Sequence, residues 1–198
     1  MRKTPQQERS RQTVERILLA GQQILAADGY GRFTTNRVAD AAGVSPGSLY
    51  QYFPDKASII DVILDRYWER FSDRVAAALS AHLADEDDPV RAVAEALVGA
   101  LEQDAALMRV VAEELPIARF KERRAALGQR IGDMLAAYLT FVGRLDRAQA
   151  VRRAWVLVTT AEAVASRWVL DETVLSREEL IHELSALARA YAGLPGDA

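Results

Sequence analysis

Residues 34–56 read TTNRVADAAGVSPGSLYQYFPDK, and their spacing predicts two short helices, a tight turn between them, and the start of a third helix. Thr35 is placed to cap the first helix, whose apolar face carries Val38, Ala39 and Ala42. The two alanines let a second helix approach closely. Gly43 stands where the chain must reverse, a position that favours positive φ and so a residue without Cβ. Val44 fills the corner. Ser45 then reads as an N-cap with Pro46 behind it, where a missing N–H costs nothing. Leu49 and Phe53, one turn apart, face inward and leave Ser48, Gln51 and Tyr52 pointing out. This is a helix-turn-helix, the arrangement that lays its second helix in the DNA major groove.

The rest of the chain sets limits on that reading. At 198 residues and 50 % hydrophobic, it is long enough for one sizeable core or two small ones. It has no cysteine, so disulfides, thiolate metal sites and a cysteine nucleophile are excluded. No apolar run approaches the roughly 18 residues that span a bilayer, and MRKTPQQERSRQ lacks the apolar core of a signal peptide, so a soluble cytoplasmic protein without a membrane partner is expected. The net charge is only −3. Residues 1–56, however, hold eight basic residues against five acidic ones, a net +3, which leaves −6 for the remainder. A basic end on an acidic body suits a DNA-binding domain attached to something else.

The apolar pattern is helical almost throughout, with no period-2 strand. Val14, Ile17, Leu18, Gly21, Ile24 and Leu25 mark a first helix that Gly29 ends, and Tyr30 and Phe33 pack the loop before the motif. Asp55 is expected to cap a long fourth helix running to about Leu83, with Ile59, Ile60, Ile63, Leu64, Tyr67, Trp68, Phe71 and Val75 on its apolar side. An acidic run, Asp85 to Asp88, leads into a helix from Pro89 to about Gln103. A shorter helix follows to Leu115, where Pro116 breaks the run. The next covers about Arg119 to Val142 and stops near Gly143. Asp146 with Gln149, and Ser176 with Glu179, have capping-box spacing and introduce helices at about Arg147–Leu170 and Arg177–Ala192. The tail GLPGDA should fray. The expected fold is all-α: about nine helices, a three-helix helix-turn-helix domain over 1–54 and a helical effector-binding and dimerisation domain over 55–198.

The glycine turn, the Ser45-Pro46 cap, the Leu49-Tyr50 pair and the Asp55-Lys56 step together resemble the TetR (tetracycline-repressor-like) family of one-component transcriptional regulators. The resemblance is specific up to the region of Lys56; beyond that it rests on helix number, length and layout. It implies that Thr35, Tyr50, Tyr52 and Lys56 clamp the DNA backbone, and that Pro46, Gly47 and Gln51 lie near bases. Residue chemistry agrees. Ser45, Pro46, Gly47 and Ser48 open the recognition helix, where free N–H groups suit phosphate and small side chains allow close approach. Gln51 carries an amide that can pair with adenine N6 and N7. Tyr50 offers a ring to a thymine methyl or a sugar and a hydroxyl to phosphate. The alternative for each tyrosine is half-buried packing, and for Arg37 an ordinary solvated charge instead of a phosphate contact. With so few base-reading side chains, much of the affinity should come from phosphate, including an arm bearing Arg2, Lys3, Arg9 and Arg11.

One domain of this size reads only a few base pairs. Specific binding therefore calls for a homodimer on a near-palindromic operator, with recognition helices about 34–36 Å apart or a multiple of that. The resemblance implies that the last two long helices form the dimer surface, and Ala154, Val158, Ala161 and Ala165 suit close helix contact there. The remaining helices could enclose a small-molecule effector; Trp68, Phe71, Met108, Met134, Tyr138, Phe141, Trp155 and Thr159 are the candidate lining, although such a set also suits plain core. Glu162 lies inside an apolar run, where it pairs with Arg167 or another arginine, or meets a polar ligand. The expected mechanism is derepression by a small apolar effector that swings the helix beginning after Asp55. A second domain that only dimerises or recruits a protein is the alternative. A helical metalloenzyme is the third class: Glu179-x-x-His182 has a di-iron spacing, but such sites need it twice, and His82 has no glutamate three residues before it. No enzyme activity, metal or other cofactor is expected.

Overall fold

The computed structural model describes residues 5–81, 88–115, 117–142, 145–171 and 175–194. Readings that involve Arg2, Lys3, His82, Leu83, the acids at 85–87, Pro116, Gly143 and the last four residues lie outside these. Among the described residues there are nine helices and no strand. They are α1 (Pro5–Asp28), α2 (Thr35–Ala42), α3 (Pro46–Tyr52), α4 (Lys56–Ala81), α5 (Pro89–Gln103), α6 (Ala105–Glu113), α7 (Ile117–Val142), α8 (Arg147–Leu170) and α9 (Arg177–Ala192). The all-α architecture with an N-terminal helix-turn-helix is as the sequence implies. None of these helices is long and apolar enough to cross a membrane.

The chain divides into two compact units, one of Met1–Tyr67 with Ala106–Ile117, the other of Trp68–Ala105 with Ala118–Ala198. In the first, α1 packs on α2 and α2 on α3. Ile17, Leu25, Phe33, Val38, Ala39, Leu49, Ile59 and Leu64 are wholly buried there. Each large apolar side chain of this kind stabilises the fold by about 1.5–3 kcal/mol. Gly21 permits a close crossing: a Cβ there would lie 3.0 Å from Ile63 and 3.2 Å from Ile59 on α4. Gly43 takes φ 63°, and the N–H groups of Gly43 and Val44 reach back to Asp40 and Ala39, closing α2 as the turn requires.

In the second unit α5 packs against α8 and α9, and α8 against α9. Ala136 and Leu139 of α7, Ala150, Ala154 and Leu157 of α8, and Ala192 of α9 share one apolar cluster. Salt bridges fasten α9 to the segment around α5. Arg189 pairs with Asp88, Arg91 with Glu178, and Arg177 with Glu102 at 3.0 Å. Ser176 and Glu179 form a reciprocal capping box at the start of α9, while Asp146 accepts the Gln149 N–H at 2.8 Å to cap α8. The end of α9 departs from expectation. Gly193 adopts φ 70°, and both Gly193 and Leu194 donate to the Arg189 carbonyl, so the first two residues of the tail cap the helix. Among the small and apolar residues of α8, Ala154 and Ala165 are buried within the chain and Val158 and Ala161 are half-buried.

Candidate nucleic-acid interface

The start of α2 corrects one reading. Thr34, not Thr35, is the N-cap: its backbone is extended (φ −133°, ψ 150°) and its hydroxyl accepts the Arg37 N–H at 3.3 Å. Capping requires that non-helical geometry, and Thr35 is already helical. The Thr35 hydroxyl is thereby left for the Tyr50 phenol, 3.0 Å away. Across the turn, Ser45 caps α3 by accepting the Ser48 N–H at 3.1 Å, and Pro46 takes the first helical position. Leu49 and Phe53 are buried, which turns Tyr50 and Gln51 to solvent.

Pro46 and Gly47 are exposed beside them. A Cβ at Gly47 would meet only the Ser45 Oγ, at 4.0 Å. The protein's own packing therefore does not demand glycine at this position. Tyr52 is half-buried, and the Ser10 hydroxyl on α1 donates to its phenol at 3.0 Å. Both recognition-helix phenols are thus held by hydroxyls from other helices. Asp55 accepts the Ser58 N–H at 2.7 Å at the start of α4. The Lys56 ammonium stands 4.0 Å over the Tyr30 ring, a cation–π contact that fixes its position. Arg37 is engaged within the unit: it pairs with Asp28 at 2.5 Å and donates to the Arg32 carbonyl at 2.9 Å, tying α2 to the end of α1. The sequence marks Tyr30 only as packing for the loop, not as the ring beneath Lys56. It does not single out Ser10, which lies 42 residues from its partner with nothing local to mark it.

The residues read as an effector lining differ in burial and in the unit to which they belong. Phe71 is buried and Trp68, Met134, Tyr138 and Glu162 are half-buried in the second unit, with the Trp68 and Phe71 rings edge to face at 6.3 Å. Burial pushes the Tyr138 phenol above its usual pKa. Met108 is buried in the first unit. Thr159 is exposed, and Phe141 (86 % exposed) and Trp155 (67 %) stand out from the protomer surface. Arg167 pairs with Asp171 at 2.9 Å. Glu179 is occupied by the α9 capping box, and no group of three His, Asp or Glu side chains among the described residues could hold a metal.

The first unit's helix-turn-helix has clear relatives. Residues 17–63 match the profile of bacterial regulatory proteins of the tetR family, and residues 87–191 match that of the tetracyclin repressor-like C-terminal domain. The nucleoid occlusion factor SlmA of Actinobacillus pleuropneumoniae is 39 % identical over 51 residues, 26 % of this chain and 25 % of SlmA, so the chain spans about a quarter of that relative's length. The HTH-type transcriptional repressor BepR of Brucella suis is 28 % identical over 165 residues, covering 76 % of this chain and 74 % of BepR. A TetR-like transcriptional regulator from Rhodococcus sp. RHA1 shares the fold with a TM-score of 0.66 at 21 % identity, over 91 % of this chain and 96 % of that one. BepR is a transcriptional repressor and the Rhodococcus protein a transcriptional regulator. The second profile alone covers more than half of the residues, and the chain belongs to the TetR family of bacterial transcriptional regulators.

Proposed function

We propose that this chain is a cytoplasmic one-component repressor that binds a near-palindromic operator as a homodimer and is released by a small apolar effector. The observation that carries the DNA reading is the surface of α3. Pro46, Gly47, Tyr50 and Gln51 are exposed together, with the Tyr50 and Tyr52 phenols already oriented by Thr35 and Ser10. Side chains fixed before binding lose less entropy on it. In this reading Gln51 reads a base edge. Ser45, Pro46, Gly47 and Ser48 admit the backbone, and Thr35, Tyr50, Tyr52 and Lys56 hold phosphates. Arg37 supports the fold around them. The domain reading, DNA in 1–54 and dimerisation with effector sensing in 55–198, makes α4 the physical connector, since its residues contribute to both compact units.

Phe141 and Trp155 fit a surface for a second copy better than an effector lining, because an enclosed ligand needs inward-facing contacts. Trp68, Phe71, Met134 and Tyr138 remain the effector candidates. A ligand that regulates must bind the DNA-incompetent state more tightly by roughly 1–3 kcal/mol.

Footprinting on DNA flanking the chain's own gene tests the operator reading. On the protected sequence, Gln51→Ala should relax preference at one position by roughly 1–3 kcal/mol, while Lys56→Ala weakens all sequences alike. Equal losses on operator and random duplex for Gln51→Ala would remove the base-reading role. A thermal-shift screen of metabolites and drugs addresses the effector: a ligand of the native state raises the midpoint, and one that also loosens DNA binding is an inducer.

A further inference from the structure

We propose that Glu114 is a positioning residue of the DNA site, acting through Tyr30 on Lys56; the inference rests on the reading of Lys56 as a phosphate contact. Glu114 directly follows α6, in the stretch 106–117 that packs within the first unit although its neighbours in sequence belong to the second. Its carboxylate accepts the backbone N–H of Tyr30 at 2.7 Å, 84 residues away in sequence. It reaches that N–H over Gly29. A Cβ on Gly29 would lie 2.6 and 2.7 Å from the two carboxylate oxygens, and Gly29 also has φ +76°. The left-handed turn that ends α1 favours glycine there, and a Cβ would push the Glu114 carboxylate off this path. The adjoining residues of the turn are held from another side, where Arg37 pairs with Asp28 and bonds the Arg32 carbonyl.

Tyr30 is therefore fixed at its backbone by Glu114, and its ring lies under the Lys56 ammonium at 4.0 Å. A lysine ammonium on a four-carbon stem has many positions open to it. The ring selects one at the first residue of α4. A carboxylate near the C-terminal end of a helix is disfavoured by the helix dipole, so α1 itself gives no reason for Glu114 to stand there. The Tyr30 N–H gives one, because a charge-assisted bond of this length fixes the turn. The link runs from Glu114 through the Tyr30 backbone to its ring, and from the ring to the cation.

The test uses the full-length protein and random-sequence duplex DNA, since a phosphate contact does not depend on sequence. Dissociation constants are measured across a salt series for wild type, Glu114→Ala, Glu114→Gln, Lys56→Ala and the double variant Glu114→Ala/Lys56→Ala. Each lost phosphate contact lowers the slope of log K against log salt by about 0.9. The expected result is that Glu114→Ala weakens binding and flattens the slope in the direction of Lys56→Ala, and that the double variant is no weaker than Lys56→Ala alone. Glu114→Gln, whose amide oxygen still accepts the Tyr30 N–H, should restore both affinity and slope. Tyr30→Phe should behave as wild type and Tyr30→Leu as Glu114→Ala, which keeps the test sound if any one variant folds poorly. Additive losses in the double variant, or a wild-type slope in Glu114→Ala, overturn the positioning role alone. A wild-type slope in Lys56→Ala overturns the phosphate reading and the positioning role with it.

Discussion

Thr34 and Thr35 stand side by side at the start of α2 and do different work. Thr34 satisfies the Arg37 N–H, while Thr35 reaches the Tyr50 phenol. Thr34→Ala should therefore lower folding stability by about 1 kcal/mol, the usual loss for an N-cap, as read from the urea midpoint. Thr35→Val should leave that midpoint within about 0.5 kcal/mol and weaken DNA binding, because the Tyr50 phenol loses its holder. If the two variants exchange these effects, the cap assignment is wrong. The pair also marks what residue chemistry makes legible. A threonine cap before an apolar helical run was readable, but two adjacent threonines are equally able to supply it, and backbone dihedrals decide between them. Contacts such as Ser10 with Tyr52, or Glu114 with Tyr30, were not readable at all, since no periodicity connects residues 42 and 84 positions apart.

At the scale of elements, helix starts were the most legible feature. Ser45-Pro46, Asp88-Pro89, Asp146 and Ser176 each announce a cap through side chains that act within three residues. The outward face of α8 was not legible, because its alanines suit packing inside a protomer as well as packing between two. Asp88 shows an element junction whose strength depends on pH. Burial by itself would raise its pKa. The Arg91 N–H, the Arg189 guanidinium and the Arg91 charge outweigh burial and hold the carboxyl below its ordinary range. A folded-state pKa below the unfolded one, about 3.9 for Asp, means that ionised Asp88 stabilises the fold fully above that value, and less as pH falls through the folded-state pKa. Asp88→Asn keeps a competent cap and removes only the charge. The stability difference between wild type and Asp88→Asn should hold its full size above about pH 4 and shrink as pH falls below it in urea titrations. A difference that stays constant with pH would show that the charge contributes nothing to the junction with α9.

At the scale of the whole molecule, the exposed apolar side chains of the last two helices bear on how the regulator assembles. Val151 and Trp155 lie one turn apart on α8, and Leu187 and Tyr191 one turn apart on α9, so each pair shares a helical face. The Arg153 guanidinium sits 5.9 Å from the Tyr191 ring, and it also donates to the Ala192 carbonyl at 2.9 Å, which places the end of α9 beside α8. Trp155 is 67 % exposed, so the fold of one protomer gains little from it. In a two-fold interface the same residue would be buried twice, and a central tryptophan typically accounts for 2 kcal/mol or more of binding. Trp155→Glu should therefore leave far-UV circular dichroism unchanged. On the proposed homodimer, it should also move the sedimenting species from a dimer to one of about 21.8 kDa at micromolar concentration. Operator affinity should fall with it, because a monomer engages one half-site at a time, while the weak affinity for a single half-site persists. A variant that remains dimeric and holds the operator as wild type does would move the dimer surface away from this face. The tryptophan would then need a different explanation.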